Sequence, residues 1–323
     1  MKTTIWMWRN RLLPVAATVL AMVMLAIGGR VAAQSNAMTA PATGTIESGV
    51  FQLDYRIEGV GHPAIVIGLP NYYARVFSPG LRSHLKLVFI DHRGSASSPG
   101  PVPVSEFSLD RISDDIELIR TELALGKVAI IGHSGNALMA LEYAKKYPDS
   151  VSHVVMIGIA PDLGDASEAQ ADRHWDKSAS AERKAAYKRN WHGVAEDEDF
   201  TSQNFVRAMI RNGPMAWYDP DFDSSPFWED VQMNMDFLIY VWDTLFAEID
   251  ITQGLDELDR PVFLALGRYD FLVAPPSSWD PVKPHFNDLT MRIFEESGHT
   301  PQYEQADLFD SELLNWMRET ESP

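Results

Sequence analysis

The chain contains no cysteine among its 323 residues. No disulfide can brace it, no thiol can act as nucleophile or metal ligand, and no cysteine can carry a lipid anchor. Its stability must therefore come from its core. No histidine pair has zinc-binding spacing on a helical stretch, and no glycine-rich loop matches a nucleotide fingerprint. Neither a metal nor a cofactor is expected. Basic residues are scarce: 27 Lys and Arg stand against 45 Asp and Glu, a formal charge of −18. Such a surface repels phosphate backbones and anionic lipid, which excludes nucleic acid and leaves a small-molecule substrate as the expected partner.

One apolar run stands out at the amino end. Lys2, Arg9 and Arg11 precede it, it spans residues 12–27, and Val31-Ala32-Ala33 follows. A basic head, an apolar middle and small residues at a cleavage site describe a secretory signal peptide, here residues 1–33. The run is shorter than the roughly 20 residues of a comfortable membrane span, so an uncleaved anchor is the weaker reading. No stable membrane association is expected after cleavage, and the formal charge then becomes −22. A periplasmic or secreted location follows. Residues 34–47, small, polar and proline-containing, read as a disordered lead-in.

The whole chain is 46% hydrophobic and 22% charged, ample for a well-buried core. Strand-like runs at residues 50–57, 64–67, 85–90, 127–132 and 151–159 alternate with helical patterns. In residues 107–125, Ile112, Ile116, Ile119 and Leu123 recur at intervals of three and four, the stripe of an amphipathic helix. This βαβ rhythm predicts an α/β fold with a mainly parallel sheet flanked by helices. It breaks at residues 161–258, which hold five of the nine tryptophans and no convincing buried strand, and resumes at "RPVFLALGRYD". The predicted organisation is a core of residues 48–160 and 259–323 interrupted by a helical cap.

In "VAIIGHSGNALMALEYAKKYP", an apolar strand runs into Gly132-His133-Ser134-Gly135 and straight on into a helix. A serine hydroxyl is a poor nucleophile unless a base lies within hydrogen-bonding reach. A sharp strand-to-helix turn lifts that hydroxyl clear of the sheet edge but crowds the backbone beside it, so small neighbours are needed. The helix that follows aims free amides at the same point, which favours developing negative charge.

This stretch resembles the nucleophile elbow, G-x-S-x-G, of the α/β-hydrolase superfamily, with Asn136 at the second glycine. That resemblance implies an acid after a later strand and a histidine after the last one. "FLALGRYDFLV" supplies Asp270 and "MRIFEESGHTP" supplies His299, 136 and then 29 residues further on. Asp162 is an alternative acid, and His285 the only other histidine late enough to act as base. The resemblance also implies an oxyanion hole from the Gly135 amide and, within Ile67-Gly68-Leu69-Pro70, the Leu69 amide. "DHRGSASS" resembles a segment of proline iminopeptidases, where Asp91 and Arg93 would tie loops beside the site. In the cap, Trp217, Trp228 and Trp242 are candidates for lining the substrate cavity. Asp219, Asp221 and Asp223 mimic a calcium loop but lack its glycine.

The implied activity is cofactor-free cleavage of a small carboxylic ester or lactone, or an amide, through an acyl-serine. Aminopeptidase action of the proline iminopeptidase kind is the alternative, with Glu196, Glu198, Asp230 or Asp236 holding a substrate amine. A lyase, or a non-catalytic ligand-binding protein, can be built on the same fold.

Overall fold

The computed structural model describes residues 41–96, 100–194 and 199–321. The predicted leader lies outside them, as do Glu196 and Glu198. Among the described residues eight strands form one sheet in the order β1-β2-β4-β3-β5-β6-β7-β8. They are β1 (Ala42–Ser48), β2 (Phe51–Glu58), β3 (His62–Ile67), β4 (Leu85–Ile90), β5 (Val128–His133), β6 (Val151–Ile157), β7 (Val262–Gly267) and β8 (Leu289–Phe294). β1, β2 and β4 pair antiparallel, and the pairings from β4 through β3 to β8 are parallel.

Strands β3 to β7 are buried along most of their length because helices cover both faces, while β8 at the sheet edge is mostly half-buried. Successive side chains point to opposite faces, so Ile130, Met156 and Leu264 join one core cluster while Ile131, Ile157 and Ala265 join the other. The first face is covered by α2 (Leu109–Glu122) and α3 (Gly135–Lys146), and the second by α1 (Pro70–Val76) and, at the carboxyl end, α10 (Ala306–Thr320). In α2, Ser108 accepts a hydrogen bond from the Arg111 amide as N-cap, and Ile112, Ile116 and Ile119 are buried.

Between β6 and β7 the described residues hold helices and no strand. These are α4 (Asp165–Ser178), α5 (Ala181–Asn190), α6 (Ser202–Arg211), α7 (Gly213–Ala216) and α8 (Met235–Tyr240), which runs into a π turn at Val241–Leu245. At the carboxyl end a short helix, α9 (Pro301–Glu304), breaks at Gln305 before α10 begins.

The disordered lead-in is corrected over its final residues, since 42–47 belong to β1, an edge strand paired with β2 through a turn at Gly49. Its side chains are exposed or half-buried and show no apolar alternation. The backbone ladder makes this strand, and hydropathy carries no trace of that.

Candidate active site

Ser134 occupies the single junction residue between β5 and α3, with φ 56° and ψ −138°. That region is costly for a residue bearing a Cβ and persists only where the surroundings enforce it. Enforcement comes from β6, whose Ile157 carbonyl accepts the Ser134 amide at 2.8 Å. A Cβ on Gly132 would lie 2.1 Å from the Asn136 carbonyl oxygen, so a glycine is obligatory there. The turn leaves Ser134 half-buried above a fully buried strand. It also leaves the Gly135 and Asn136 amides at the start of α3 without intrahelical acceptors.

The acid and the histidine arrive from the ends of β7 and β8. Asp270 follows β7 by three residues and His299 follows β8 by five; both are buried, and His299 Nδ1 lies 2.7 Å from Asp270 Oδ2. With Nδ1–H donated to the carboxylate, Nε2 is the imidazole's free basic atom. Gly158, the residue after Ile157, seats the ring. Its φ is +58°, and a Cβ there would sit 2.5 Å from the His299 carbonyl oxygen and 3.2 Å from its Nδ1. The serine turn and the histidine thus lean on neighbouring residues of one strand end.

His133, beside the nucleophile, points the other way. Its Nε2–H donates to the His299 carbonyl at 2.9 Å and its Nδ1 accepts from the Tyr73 hydroxyl at 3.3 Å. Burial, with the neighbouring His299 adding to it, pushes its pKa down to about 3, so the ring is a neutral brace. The rival acid Asp162 is occupied by the Gly164 amide, and His285 ends a short 3-10 turn as an exposed residue.

On the opposite side of Ser134, Gly68 (φ 91°) and Leu69 (φ 36°) turn the chain from β3 into α1. The Asn136 side chain packs into this turn, donating to the Ile67 carbonyl at 3.1 Å and the Tyr73 hydroxyl at 3.2 Å. A Cβ on Gly68 would lie 2.5 Å from Asn136 Nδ2. Gly68 thus leaves the room that the Asn136 side chain fills. Burial depresses the pKa of the nearby His92 to about 4, with Asn136 acting against that shift.

The "DHRG" segment ties loops. Arg93 is buried and makes a two-pronged pair with Asp115 at 2.7 Å for each contact, reaches the Glu106 carbonyl, and lies over the Phe51 ring. Asp91 accepts from the Ser95 hydroxyl, and burial raises its pKa to about 7.

The three tryptophans separate. Trp217 is 4% exposed and packs among Phe222, Phe227 and Tyr303, backing the site. Half-buried Trp228 lies against Tyr72 of α1, close to the Leu69 turn. Trp242 sits half-buried in the π turn, whose end brings Phe246 against Gly135. Asp219 and Asp223 close local turns, Asp221 pairs with Arg189, and no group of three potential metal ligands occurs among the described residues. Sequence reasoning missed Asn136's bracing role, the buried Arg183 and the half-buried Glu304. A polar residue in an otherwise apolar pattern was the signal available for Asn136.

A family model described as alpha/beta hydrolase fold matches residues 62–306, and the chain belongs to this family. It is a hydrolase by that kinship. AB hydrolase superfamily protein YclE of Bacillus subtilis is 38% identical over 275 residues, covering 85% of this chain and 98% of the relative. Among solved structures, proline iminopeptidase from Mycobacterium smegmatis superposes with a TM-score of 0.66 at 17% identity, over 87% of this chain and 99% of that one. A thermophilic esterase from Thermogutta terrifontis gives 0.55 at 17% identity, over 88% and 100%. These two likenesses concern the fold.

Proposed function

We propose that the protein is a serine hydrolase that cleaves a small carboxylic ester or lactone, or an amide, through an acyl-Ser134 intermediate. The observation that carries this reading is the 2.7 Å His299–Asp270 pair seated on Gly158, beside the strained turn that presents Ser134. His299 Nε2 takes the Ser134 proton as the oxygen attacks the acyl carbon, then returns it to the leaving alcohol or amine. Asp270 holds the productive tautomer and offsets the imidazolium charge. The Gly135 and Leu69 amides receive the oxyanion. Water, activated by His299, releases the acid and restores the serine. Trp228 and Trp242 line the approach, and the chemistry draws on no cofactor.

A panel of aryl esters, lactones and prolyl arylamides, assayed on native protein and Ser134→Ala, tests the proposal. Native protein is expected to hydrolyse esters or lactones and to be labelled by a fluorophosphonate at Ser134. Ser134→Ala should lose about 10,000-fold or more in kcat. Full activity in that variant would end the reading. Turnover of the arylamide with no ester turnover would favour the aminopeptidase alternative, for which exposed Asp230 and Asp236 are the described acidic candidates. We also propose export, resting on the leader-like residues 1–33; a secreted or periplasmic form beginning at Gln34 is the expected product.

A further inference from the structure

One short segment of the helical insertion, residues 214–218, is hydrogen-bonded to the loops that carry Asp270 and His299. Its Met215 carbonyl accepts the Phe271 amide at 2.9 Å, one residue from the acid, and its Ala216 carbonyl accepts the His299 amide at 2.6 Å. The Tyr218 amide donates to the Glu304 carboxylate at 2.6 Å. That carboxylate also gathers the His299 loop, accepting from the Gly298 amide at 2.8 Å, the Ser297 hydroxyl at 3.1 Å and the Thr300 amide at 3.2 Å. The approach is close: a Cβ on Gly298 would fall 2.2 Å from the Ala216 carbonyl oxygen.

The segment is held from behind by Arg183 of α5. Its buried guanidinium donates from Nη1 to the Pro214 carbonyl at 2.7 Å and the Trp217 carbonyl at 2.6 Å, and from Nη2 to the Tyr218 carbonyl. It also lies 5.4 Å from the Tyr269 ring centre and 5.5 Å from that of Phe271, the two residues that flank Asp270. A cation therefore grips the carbonyls of this stretch while an anion grips its Tyr218 amide. Burying a guanidinium is costly unless several acceptors meet its fixed fork, and here the peptide carbonyls do so.

We propose that Arg183 is a positioning residue for the Asp270–His299 pair, acting through residues 214–218, so that this part of the insertion is a fixed strut of the catalytic centre. The inference rests on the serine-hydrolase reading above. Deleting the fork frees the stretch that sets the backbone of both loops, and a displacement on the order of an ångström at reacting groups costs about 100-fold in rate.

The test compares the full-length protein with Arg183→Met, Arg183→Lys and Arg189→Ala. Arg189 lies on the same helix but is exposed and paired to Asp221. Each is assayed for kcat and KM on an ester the native protein hydrolyses, and for hydrogen exchange at the Phe271 and His299 amides. Arg183→Met should lower kcat about 100-fold with KM within about threefold, and should accelerate exchange at those two amides. Arg183→Lys, which keeps the charge without the fork, should recover part of both, and Arg189→Ala should match native protein. Native kcat and native exchange in Arg183→Lys, together with the same in any folded Arg183→Met, would overturn the proposal; should the methionine variant fail to fold, the lysine variant decides alone. The exchange readout needs no turnover, so the two readings fail separately. Faster exchange beside a native Ser134 that resists fluorophosphonate sinks the hydrolase mechanism. Labelled native protein with unchanged exchange in the variants sinks the strut.

Discussion

The sheet core and the helical insertion are built by different rules. In the core, β3 to β7 are runs of buried aliphatic residues whose alternate side chains feed two helix-covered faces. Nonspecific apolar burial does most of the work there, and the roughly 25 cal/mol per Å² it supplies is indifferent to which aliphatic residue sits where. The insertion is held by polar contacts at particular atoms and by aromatic rings. Arg183 binds three carbonyls, Ser180 and Thr201 cap α5 and α6, and Trp175, Tyr187, Met215 and Phe271 make a small separate cluster. A core of the first kind tolerates substitution of like for like, whereas a layer of the second kind fails when one contact point is lost. The site draws on both: Ser134 rises from the core, while the loops of Asp270 and His299 are braced by the insertion.

The comparison breaks most directly at the acid. Asp270→Asn should leave the fold intact, yet turn the histidine tautomer and lower kcat about 10,000-fold, read by ester turnover alongside an unchanged circular dichroism spectrum. If activity persisted, the insertion would be bracing loops without catalytic consequence.

A smaller effect is expected where the core itself depends on polar contacts. Removing the Arg93 guanidinium with Arg93→Met strands the Asp115 carboxylate, which is 1% exposed. A loss of about 3 to 5 kcal/mol in denaturant-unfolding free energy is expected. A cost below about 1 kcal/mol would mean that apolar packing replaces the pair.

Acid sharpens the contrast further, because His92 and His133 are buried at the site and neutral. Their folded pKa values, about 4 and about 3, lie below the unfolded 6.5, so the unfolded chain binds more protons between these values. Their contribution to stability is complete above pH 6.5 and is lost as pH falls through that window, by about 3 kcal/mol or more for each ring. Asp91 opposes them, since its pKa rises from 3.8 to about 7 on folding and its contribution fades as pH climbs. Unfolding curves from pH 7 to pH 4 on an Asp91→Asn background remove that opposition; His153, lowered to about 4 by burial, adds in the same direction, and a flat profile would count against the buried neutral rings. The smallest effect belongs to the insertion's outer face. Arg189→Ala removes an exposed ion pair and should change stability by less than about 0.5 kcal/mol.

How much could be read beforehand differed between the two regions for the same reason. The residues 85–90 run is β4 residue for residue, and the Ile112, Ile116, Ile119 stripe is the buried face of α2, because apolar periodicity records burial directly. That Ser134, Asp270 and His299 each stand just past a strand was legible from the apolar runs before them, where a parallel sheet presents its carboxyl edge. β1 was not, since an edge ladder needs only backbone groups. Trp217 resembled a pocket residue in composition, but its ring packs behind the His299 loop. Nothing in the sequence sets Arg183 and Glu304 apart from the chain's other charges; folding alone places peptide groups around them.

By itself the sequence determined an α/β sheet, an interrupting helical layer and three side chains at strand ends, since alternation, glycine placement and chain order are local properties. Tertiary structure alone decided that Asn136 fills the space above Gly68, that Gly158 seats the histidine, and that a buried arginine grips residues 214–218. Each of these joins segments remote along the chain, and a hydrogen bond or a missing Cβ acquires meaning only once its distant partner has been brought within a few ångströms.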